Sequence, residues 1–426
     1  MKKKVLFISR EFWPESNGTI TCLNNFLPDL AEDYDITLYS NPINLKEYKG
    51  EYKGLTLKRP KSTLDNLYRI KFNLLNKLFN LNLDKNTSKV LGFIIKLLFL
   101  PFRELINRYG YINNEAWQRN LENYINDNEL VENYDILIAV GNPFENVKSA
   151  YKLKIKNPHL KFIILEFDLY TDNPVSIIND NNRNERIEEE YKWFEAANFI
   201  FVTKEMESTI LNSELKKWKN KIIPFNLPTL TNIEDYKPEN IFDNNEINIV
   251  YSGMLYKDIR NPKFTLKLFE KVINKDPRIK LHIIGKGCEE ILTEYQNVLK
   301  DNLKVYGHRS KKFTQNAQYS ADILLNISNN TLSQAPSKIL EYIGTTKPII
   351  NVYSIDNDIC ENYLKNYPLS TSIKEDNKKL DLLADKIYKF IIEYQGKRMN
   401  YTEVKVSYIE HLPETFSNKI KEAIEE

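Results

Sequence analysis

The sequence APSKILEYIG at residues 335–344, followed by TTKPII at residues 345–350, reads as a helix start, a helix stop and a buried strand. Pro336 and Ser337 favour a helix start, because proline presets φ and serine can cap the first free amides. A glycine and then a proline end the helix, and the apolar, β-branched residues that follow are typical of an interior strand. The stretch therefore predicts one repeating unit of an α/β fold.

This helix also carries side chains that suit a phosphorylated sugar. Glu341 lies four residues after Ser337, so both side chains share one face of the helix. Because a helix start collects unpaired N–H groups and partial positive charge, Ser337 would hold a phosphate. Glu341 would then face the hydroxyls of a ribose. The hypothesis is a grip on a nucleotide-sugar diphosphate, and an ordinary surface helix with an exposed glutamate is the alternative.

Length, charge and composition narrow the class of protein. A chain of 426 residues exceeds one ordinary core and predicts two or three domains. Its 60 Lys and Arg against 58 Asp and Glu leave no whole-chain argument for binding nucleic acid. The three cysteines form no disulfide framework and the four histidines show no ligand spacing. We therefore expect a cytoplasmic protein without a structural metal or a cofactor.

Buried-strand patterns alternate with helical periodicity in both halves of the chain. In the first half they cover residues 5–9, 35–40, 135–141, 162–168, 199–203 and 221–225. In the second half they cover residues 247–253, 280–285, 303–307, 322–328 and 348–353. The alternation predicts two Rossmann-like α/β domains at residues 1–228 and 246–426, joined by a Pro-, Asn- and acid-rich linker at residues 229–245. A last helix at residues 416–425 fits either domain.

Residues 45–130 interrupt this alternation and are interpreted as a helical insertion. The centre of the insertion, residues 89–103, is apolar and basic. Lys96 and Pro101 leave it short of the roughly 20 apolar residues of a membrane span, so no transmembrane helix is predicted. The segment suits helices that lie on a bilayer surface or dock a lipid-linked substrate. Helices packed on their own domain are the alternative.

Loops at the carboxyl ends of strands carry the candidate catalytic groups, because ligands of open α/β sheets bind there. Gly18 follows the first strand and would let a ligand approach the backbone, although a plain turn explains it as well. Asp168 and Asp172 follow a buried strand and are candidates near an acceptor hydroxyl, or else helix caps. Strands of the second half end on Gly253, Gly285 and Gly307. Glycines there suggest backbone close to a flat ligand, and the absence of a GxGxxG fingerprint argues against a dinucleotide dehydrogenase.

The second half resembles the donor domain of a GT-B-fold, retaining glycosyltransferase of the family 4 type. Three stretches carry the resemblance in order, namely YSGMLY with RNP at residues 251–262, LHIIGKG at residues 281–287, and PSKILEY with KP at residues 336–348. The first half resembles the acceptor domain of this family at residues 5–18 and 162–203, whereas the insertion matches no motif. The resemblance implies two Rossmann-like domains that face each other across a cleft. It further implies sugar transfer from a UDP- or GDP-sugar to an acceptor hydroxyl with retention and without a metal.

The resemblance assigns roles to individual residues on the phosphate and sugar side. Arg260 would pair with the diphosphate, and its planar fork suits phosphate oxygens. Ser337 would bind the distal phosphate and Glu341 the ribose. Gly18 would supply acceptor-side backbone near the leaving phosphate. Arg260 would thus be catalytic, together with Asp168 or Asp172 near the acceptor.

Further donor-binding roles follow from the same resemblance. Gly253 belongs to the glycine loop, and His308 and Arg309 lie where the family reads the base. Lys263 or Lys338 would supply a second cation to the diphosphate. The resemblance implies a nucleotide-sugar donor and a glycan acceptor as partners. The basic, apolar insertion suggests a lipid-linked or cell-surface glycan intermediate, and hence surface-polysaccharide or glycolipid synthesis. The location would then be the cytoplasm or the inner face of the cytoplasmic membrane, with peripheral contact.

One position departs from the family pattern. Ser333 stands eight residues before Glu341, where the family commonly has a glutamate near the donor sugar. A hydroxyl can bond sugar hydroxyls but supplies no carboxylate to a cationic transition state, which leaves the donor sugar open. Two alternatives remain beside the transferase. One is a non-catalytic relative that binds a partner transferase, and the other is a nucleotide-sugar epimerase.

Overall fold

The computed structural model describes residues 2–13, 17–41, 50–80, 85–111, 114–171, 180–331 and 338–426. The chain divides into two compact domains. Residues 1–225 and 417–426 form the first domain, and residues 226–416 form the second. The segment predicted as a linker therefore counts with the second domain, where Leu230 is buried in the hydrophobic core.

The first domain is built on an eight-stranded sheet. Its strands are β1 (Lys4–Ile8), β2 (Asp35–Tyr39), β3 (Gly50–Tyr52), β4 (Leu55–Lys58), β5 (Ile136–Val140), β6 (Lys161–Glu166), β7 (Phe199–Thr203) and β8 (Ile222–Phe225). Its helices are α1 (Gly18–Asp33), α2 (Thr63–Asn80), α3 (Lys85–Leu98), α4 (Leu100–Tyr109), α5 (Asn114–Asn128), α6 (Glu145–Lys156), α7 (Asp180–Ala196) and α8 (Lys204–Leu211). The strand order is β3-β4-β2-β1-β5-β6-β7-β8, and all neighbours are parallel except β3 and β4.

The second domain is built on a six-stranded parallel sheet. Its strands are β9 (Ile247–Ser252), β10 (Ile279–Ile284), β11 (Leu303–Gly307), β12 (Ile323–Ile327), β13 (Ile349–Tyr353) and β14 (Ser370–Lys374). The helices that follow are α9 (Lys263–Ile273), α10 (Glu289–Leu299), α11 (Lys311–Ser320), α12 (Lys338–Gly344), α13 (Ile359–Leu364), α14 (Leu380–Tyr394), α15 (Tyr401–Ser407) and α16 (Pro413–Glu425). The strand order is β11-β10-β9-β12-β13-β14.

Both sheets follow the doubly wound order of a Rossmann fold. Central strands β5 and β9 are buried along their whole length, as expected for parallel strands covered by helices on both faces. The strand order reverses between β1 and β5 in the first domain and between β9 and β12 in the second. Loops at such a switch point border the ligand crevice of a doubly wound sheet. The predicted fold class, α/β with two Rossmann-like domains, is confirmed.

The insertion at residues 45–130 was predicted to be helical, but in the structure it includes two strands near its start. Strands β3 and β4 form a hairpin on the sheet edge, with a two-residue turn at Lys53 and Gly54. Both turn residues have positive φ, at 50° and 80°, which matches the twist of a tight hairpin. At the other end, Trp117 of α5 is fully buried in the domain core. The part that stands apart is α2 to α4, and no described helix is both long and apolar enough to cross a membrane.

Helix α16 contacts the first domain through a hydrogen bond and ion pairs. The Ser417 hydroxyl donates to the Phe26 carbonyl at 3.1 Å. Lys421 lies 3.3 Å from a carboxylate oxygen of Asp29 and 2.7 Å from one of Asp33. The chain thus returns to its first domain after completing the second.

Candidate functional site

Arg260 lies in the loop after β9 and is held at the switch point of the second domain. Its Nε and Nη2 both donate to Oδ1 of Asn329, at 3.0 and 2.7 Å, and its Nη1 donates to the Met254 carbonyl at 3.2 Å. Asn329 follows β12, the neighbour of β9 at the reversal of strand order, so these bonds span the switch point. Both acceptors are neutral oxygens. The half-buried guanidinium is therefore oriented by partners that do not cancel its charge.

The backbone of this loop is itself fixed. The Arg260 amide donates to the Tyr256 carbonyl at 2.9 Å, and the Tyr256 amide donates back at 3.2 Å. The Asn330 amide donates to the Ile259 carbonyl at 2.9 Å, which joins the loop after β12 to the loop after β9. A cation on such a loop is positioned before any ligand arrives, which lowers the cost of binding.

The glycines after β10 and β11 differ in the space around them. Gly285 has φ of +151° and Gly287 has φ of +103°, and a Cβ on either would overlap a backbone carbonyl oxygen, of Gly253 and Leu255 respectively. These two glycines thus let the loops after β9 and β10 pack against each other, an internal role that the ligand interpretation of Gly285 did not foresee. Gly307 has φ of +66° and open space where its Cβ would stand.

Helix α12 is fastened to the end of β9 by Tyr342. The Ser252 amide donates to the Tyr342 hydroxyl at 2.7 Å, and the Ser252 hydroxyl lies 3.2 Å from the same oxygen. Gln318 adds a bond from its Nε2 to the Ser252 hydroxyl at 2.9 Å. Burial raises the pKa of Tyr342, so the phenol stays neutral. The network anchors α12 at the carboxyl end of β9, and Glu341 is the residue before Tyr342 on this helix.

Glu341 and Lys338 pair with each other. Lys338 Nζ lies 2.5 Å from Glu341 Oε2, and their side chains are 31% and 19% exposed. The carboxylate remains reachable by a ligand, while the lysine is compensated by a negative charge. Ser337 and Ser333, both named from the sequence, lie outside the described residues.

The remaining residues predicted for the second domain lie in loops that follow the carboxyl ends of the strands, or close to these loops. His308 and Arg309 follow β11 directly and are exposed, and the Arg309 guanidinium lies 5.8 Å from the Phe313 ring centroid. Lys263 is the exposed first residue of α9, three positions after Arg260. Because β11, β10 and β9 are parallel neighbours, the loops that follow them lie side by side at the carboxyl end of the sheet. No three His, Cys, Asp or Glu side chains among the described residues form a group that could hold a metal ion.

The candidates of the first domain follow β1 and β6. Gly18 begins α1 and is exposed, and Asn17 caps the helix by accepting from the Ile20 amide at 2.8 Å. Asp168 is half-buried and accepts a hydrogen bond from Asn142 Nδ2 at 3.0 Å, across the ends of neighbouring strands β6 and β5. Asp172 lies outside the described residues.

Sequence reasoning missed a buried carboxyl group in the first domain. Glu166, the last residue of β6, is 0% exposed, and neither of its carboxyl oxygens has a hydrogen-bond partner among the described residues. Burial raises the pKa of Glu166 well above its usual value, and the neighbouring Glu190 raises it further. Glu190 is buried as well and accepts from the Thr171 hydroxyl. The one signal was a glutamate ending the apolar run FIILE at residues 162–166.

Sequence reasoning also missed Asn329, the residue that orients Arg260. Its signal was the polar triplet SNN at residues 328–330, directly after the buried strand pattern of β12. Which strand lies beside β9 cannot be read from that triplet. The partner of Arg260 therefore became identifiable only once the strand order was known.

Comparison with known proteins relates the second domain to a family model and the whole chain to a known fold. Residues 246–393 match the family model described as Glycosyl transferases group 1. This range covers β9 to α14, including Arg260, Asn329 and Glu341. No protein with a curated description matches the sequence of the chain.

Solved structures with a similar fold cover nearly the whole chain at low identity. Sucrose-phosphate synthase from Thermosynechococcus elongatus is 11% identical, with a TM-score of 0.60 over 99% of this chain and 98% of that one. HepE from Anabaena, in complex with UDP and glucose, is 10% identical, with a TM-score of 0.57 over 99% of both chains. A point mutant of TarM from S. aureus, in complex with fondaparinux, α-GlcNAc-glycerol and UDP, is 12% identical, with a TM-score of 0.57 over 100% of both. The chain has the GT-B fold, and its second domain is similar to group 1 glycosyl transferases over residues 246–393.

Proposed function

We propose that this protein transfers a sugar from a nucleoside diphosphate sugar to an acceptor hydroxyl. The observation that carries the proposal is Arg260, a guanidinium oriented by neutral oxygens at the switch point of the second domain. A diphosphate supplies the negative charge that this site lacks, and guanidinium pairs with phosphate oxygens in a planar, two-point fashion. The match to group 1 glycosyl transferases over the same residues supports this assignment.

In the proposed reaction, charge develops on the departing diphosphate as the bond to the sugar breaks. Arg260 stabilises that charge without first reorganising, because Asn329 and Met254 already hold it in place. Lys263, three residues later and exposed, is the better candidate for a second cation, since Lys338 is already paired with Glu341. No metal is assigned to this step.

The nucleoside end of the donor is assigned to the partly buried Glu341 and to the exposed His308 and Arg309. Glu341 accepts hydrogen bonds from the ribose hydroxyls, and a carboxylate is a strong acceptor for such bonds. His308 and Arg309, directly after β11, read the base. The HepE and TarM complexes of similar fold hold UDP, which makes a uridine donor the first to test.

The acceptor side rests on the first domain. Asp168, oriented by Asn142, is assigned to the acceptor hydroxyl, where its carboxylate would take a proton. Gly18 opens α1 without an acidic side chain in the first helical turn, which suits backbone near a phosphate. We assign retention of the anomeric configuration and a role in surface-polysaccharide or glycolipid synthesis on the strength of the sequence resemblance alone.

A thermal-shift panel tests the assignment. UDP, GDP and ADP and their common sugar conjugates are added to wild-type protein and to Arg260→Ala. A ligand that binds only the folded state stabilises it by about 2.7 kcal/mol at a hundredfold excess over Kd, and the melting midpoint rises accordingly. We expect a selective rise with one base in the wild type and its loss in Arg260→Ala.

The matched control is Lys267→Ala, which removes an exposed cation of α9 outside the proposed site. This variant should keep the wild-type response. No response of the wild type to any nucleotide would overturn the proposed function. If a nucleotide sugar binds but is only hydrolysed, the protein is a hydrolase. If it is only converted to its epimer, the protein is an epimerase.

A further inference from the structure

Helices α2, α3 and α4 expose an unusual amount of apolar surface. Of the 25 large apolar side chains that are exposed in the described part of the chain, 13 lie between residues 70 and 109. The most exposed of them are Phe72, Val90, Phe93, Leu98, Leu100 and Tyr109. Contiguous exposed apolar surface of this kind marks an interaction site more often than a stable soluble face. We call these three helices the helical platform.

The helical platform is packed together and attached to the rest of the first domain. Its three helices pack on one another, and α4 also packs on α5 of the domain core. At its base the buried Asp65 accepts from the Ser62 amide and the Tyr111 amide, both at 2.9 Å. Gly110 has no room for a Cβ, which would meet an oxygen of Asp65 and the Ile106 carbonyl. The exposed apolar face is therefore presented on a fixed support.

The positive charge of the helical platform indicates which kind of partner covers its apolar face. Between residues 63 and 109 the sequence has eight Lys or Arg and three Asp or Glu. Among the described residues of the three helices, Glu104 is the one exposed carboxylate, since Asp65 is buried. The exposed cations are Arg69, Lys77, Lys89, Lys96, Arg103 and Arg108. A second copy of the chain would bring the same positive charge, whereas an anionic bilayer would complement it.

A cavity of about 380 Å³ lies in the platform against α5. Its cationic walls are Lys71 and Arg103, and its apolar walls include Phe99 and Ile106. Glu115, also at the wall, accepts from Asn107 Nδ2 at 3.0 Å. A volume of this size admits a small polar ligand. Two cations beside apolar walls match a phosphate group that is attached to a lipid.

We propose that the helical platform docks on the surface of an anionic bilayer. Its apolar side chains enter the boundary between headgroups and acyl chains, and the cavity between Lys71 and Arg103 takes a lipid phosphate. The proposal rests on the first domain alone, so it stands or falls independently of glycosyl transfer.

Vesicle flotation with the full-length chain tests the apolar part of this proposal. The vesicles contain phosphatidylcholine alone or 70:30 phosphatidylcholine and phosphatidylglycerol, at low and at high salt. We expect binding to the anionic vesicles at low salt, weakened by salt because screening shortens the reach of the charges. The variant Phe93→Glu/Leu98→Glu should reduce the partition coefficient roughly tenfold or more. The control Leu382→Glu/Val406→Glu, which alters equally exposed apolar residues of the second domain, should bind as the wild type does.

The cavity is tested by charge removal. Lys71→Gln/Arg103→Gln should weaken binding to the anionic vesicles by roughly 30-fold, since each surface cation contributes about fivefold. The control Lys267→Gln/Lys389→Gln removes two exposed lysines of the second domain and should have no such effect. Absence of wild-type binding to anionic vesicles, or equal losses in test and control pairs, would overturn the proposal. A concentration-dependent dimer that Phe93→Glu/Leu98→Glu dissolves, without vesicle binding, would assign the platform to a second copy instead.

Discussion

The two domains have the same strand order at their switch points, yet different side chains follow the central strands of their sheets. In the second domain a guanidinium, Arg260, is held by the neutral oxygens of Asn329 and Met254. In the first domain the ends of β5 and β6 bring together Asp168, Asn142 and the buried Glu166. Topology thus decides where a ligand can bind, whereas the loop residues decide which ligand it is. Under the proposed function, the diphosphate would bind at the second domain and the acceptor hydroxyl at the first.

Removing the cation should have the largest effect. Arg260→Ala should lower kcat/KM for sugar transfer by roughly 10²–10³-fold, the usual cost of losing one preorganised group at a developing negative charge. Circular dichroism and the melting midpoint should stay near those of the wild type, because the side chain is only half-buried. A folded Arg260→Ala enzyme with full activity would refute the role of Arg260 in sugar transfer.

Removing the carboxylate that is proposed to bind the ribose should have the next largest effect. Glu341→Ala should weaken binding of the nucleoside diphosphate by roughly 10- to 100-fold, since hydrogen bonds to charged groups contribute about 1.5–3 kcal/mol. It should also abolish discrimination against a deoxyribose nucleotide. Titration calorimetry measures both effects. Glu290→Ala, an exposed glutamate in the first turn of α10, is the matched control, and equal affinities of the two variants would contradict the role of Glu341.

Changing the partner of Arg260 sharpens the comparison. Asn329→Ala should weaken nucleotide binding by roughly 3- to 10-fold, because the guanidinium loses the oxygen that orients it and keeps its bond to the Met254 carbonyl. Asn329→Asp keeps the shape but adds a carboxylate that pairs with Arg260, so it should bind more weakly than Asn329→Ala. Affinities are compared by calorimetry at one salt concentration. Wild-type affinity in Asn329→Asp would show that the neutrality of this partner is irrelevant.

Loosening helix α12 should act on stability. Tyr342→Phe leaves the buried Ser252 amide without its acceptor at 2.7 Å, so the free energy of unfolding should fall by about 1–3 kcal/mol. Urea unfolding measures the change. Tyr256→Phe, at an exposed tyrosine of the same domain, serves as the control and should unfold as the wild type does.

The smallest effect should come from the buried carboxyl of the first domain. Because its folded pKa is raised above the unfolded value, Glu166 binds a proton on folding. The associated stability is fully present below the unfolded pKa of about 4.5 and is lost as pH rises toward the folded pKa. Glu166→Gln removes this titration, so unfolding midpoints measured between pH 5 and pH 8 should vary less with pH than in the wild type. An unchanged pH profile would mean that Glu166 does not control this part of the stability.

Features set by neighbouring residues in the chain were predictable from the sequence. The α/β alternation, the two domains and most strands followed from apolar runs separated by helical periodicity, and the fold class is confirmed. The hairpin of β3 and β4 was missed because strands of three and four residues carry too little alternation to stand out. The roles of the site residues remain predictions.

Contacts between residues far apart in the chain could not be predicted from the sequence. The Ser252–Tyr342 bond joins residues 90 positions apart, and the Arg260–Asn329 bonds join residues 69 apart. Gly285 was interpreted as a point of ligand approach, but its missing Cβ makes room for the Gly253 carbonyl. Such contacts depend on which strands become neighbours, and only the folded sheet shows that.

The central claim is that Arg260 recognises a diphosphate, and calorimetric titration of UDP and UMP into wild type and Arg260→Ala tests it most directly. In the wild type the second phosphate should strengthen binding at least tenfold, the equivalent of about 1.4 kcal/mol. In Arg260→Ala the two nucleotides should bind with nearly equal affinity. An undiminished preference for UDP in Arg260→Ala would contradict the account and move the diphosphate site elsewhere.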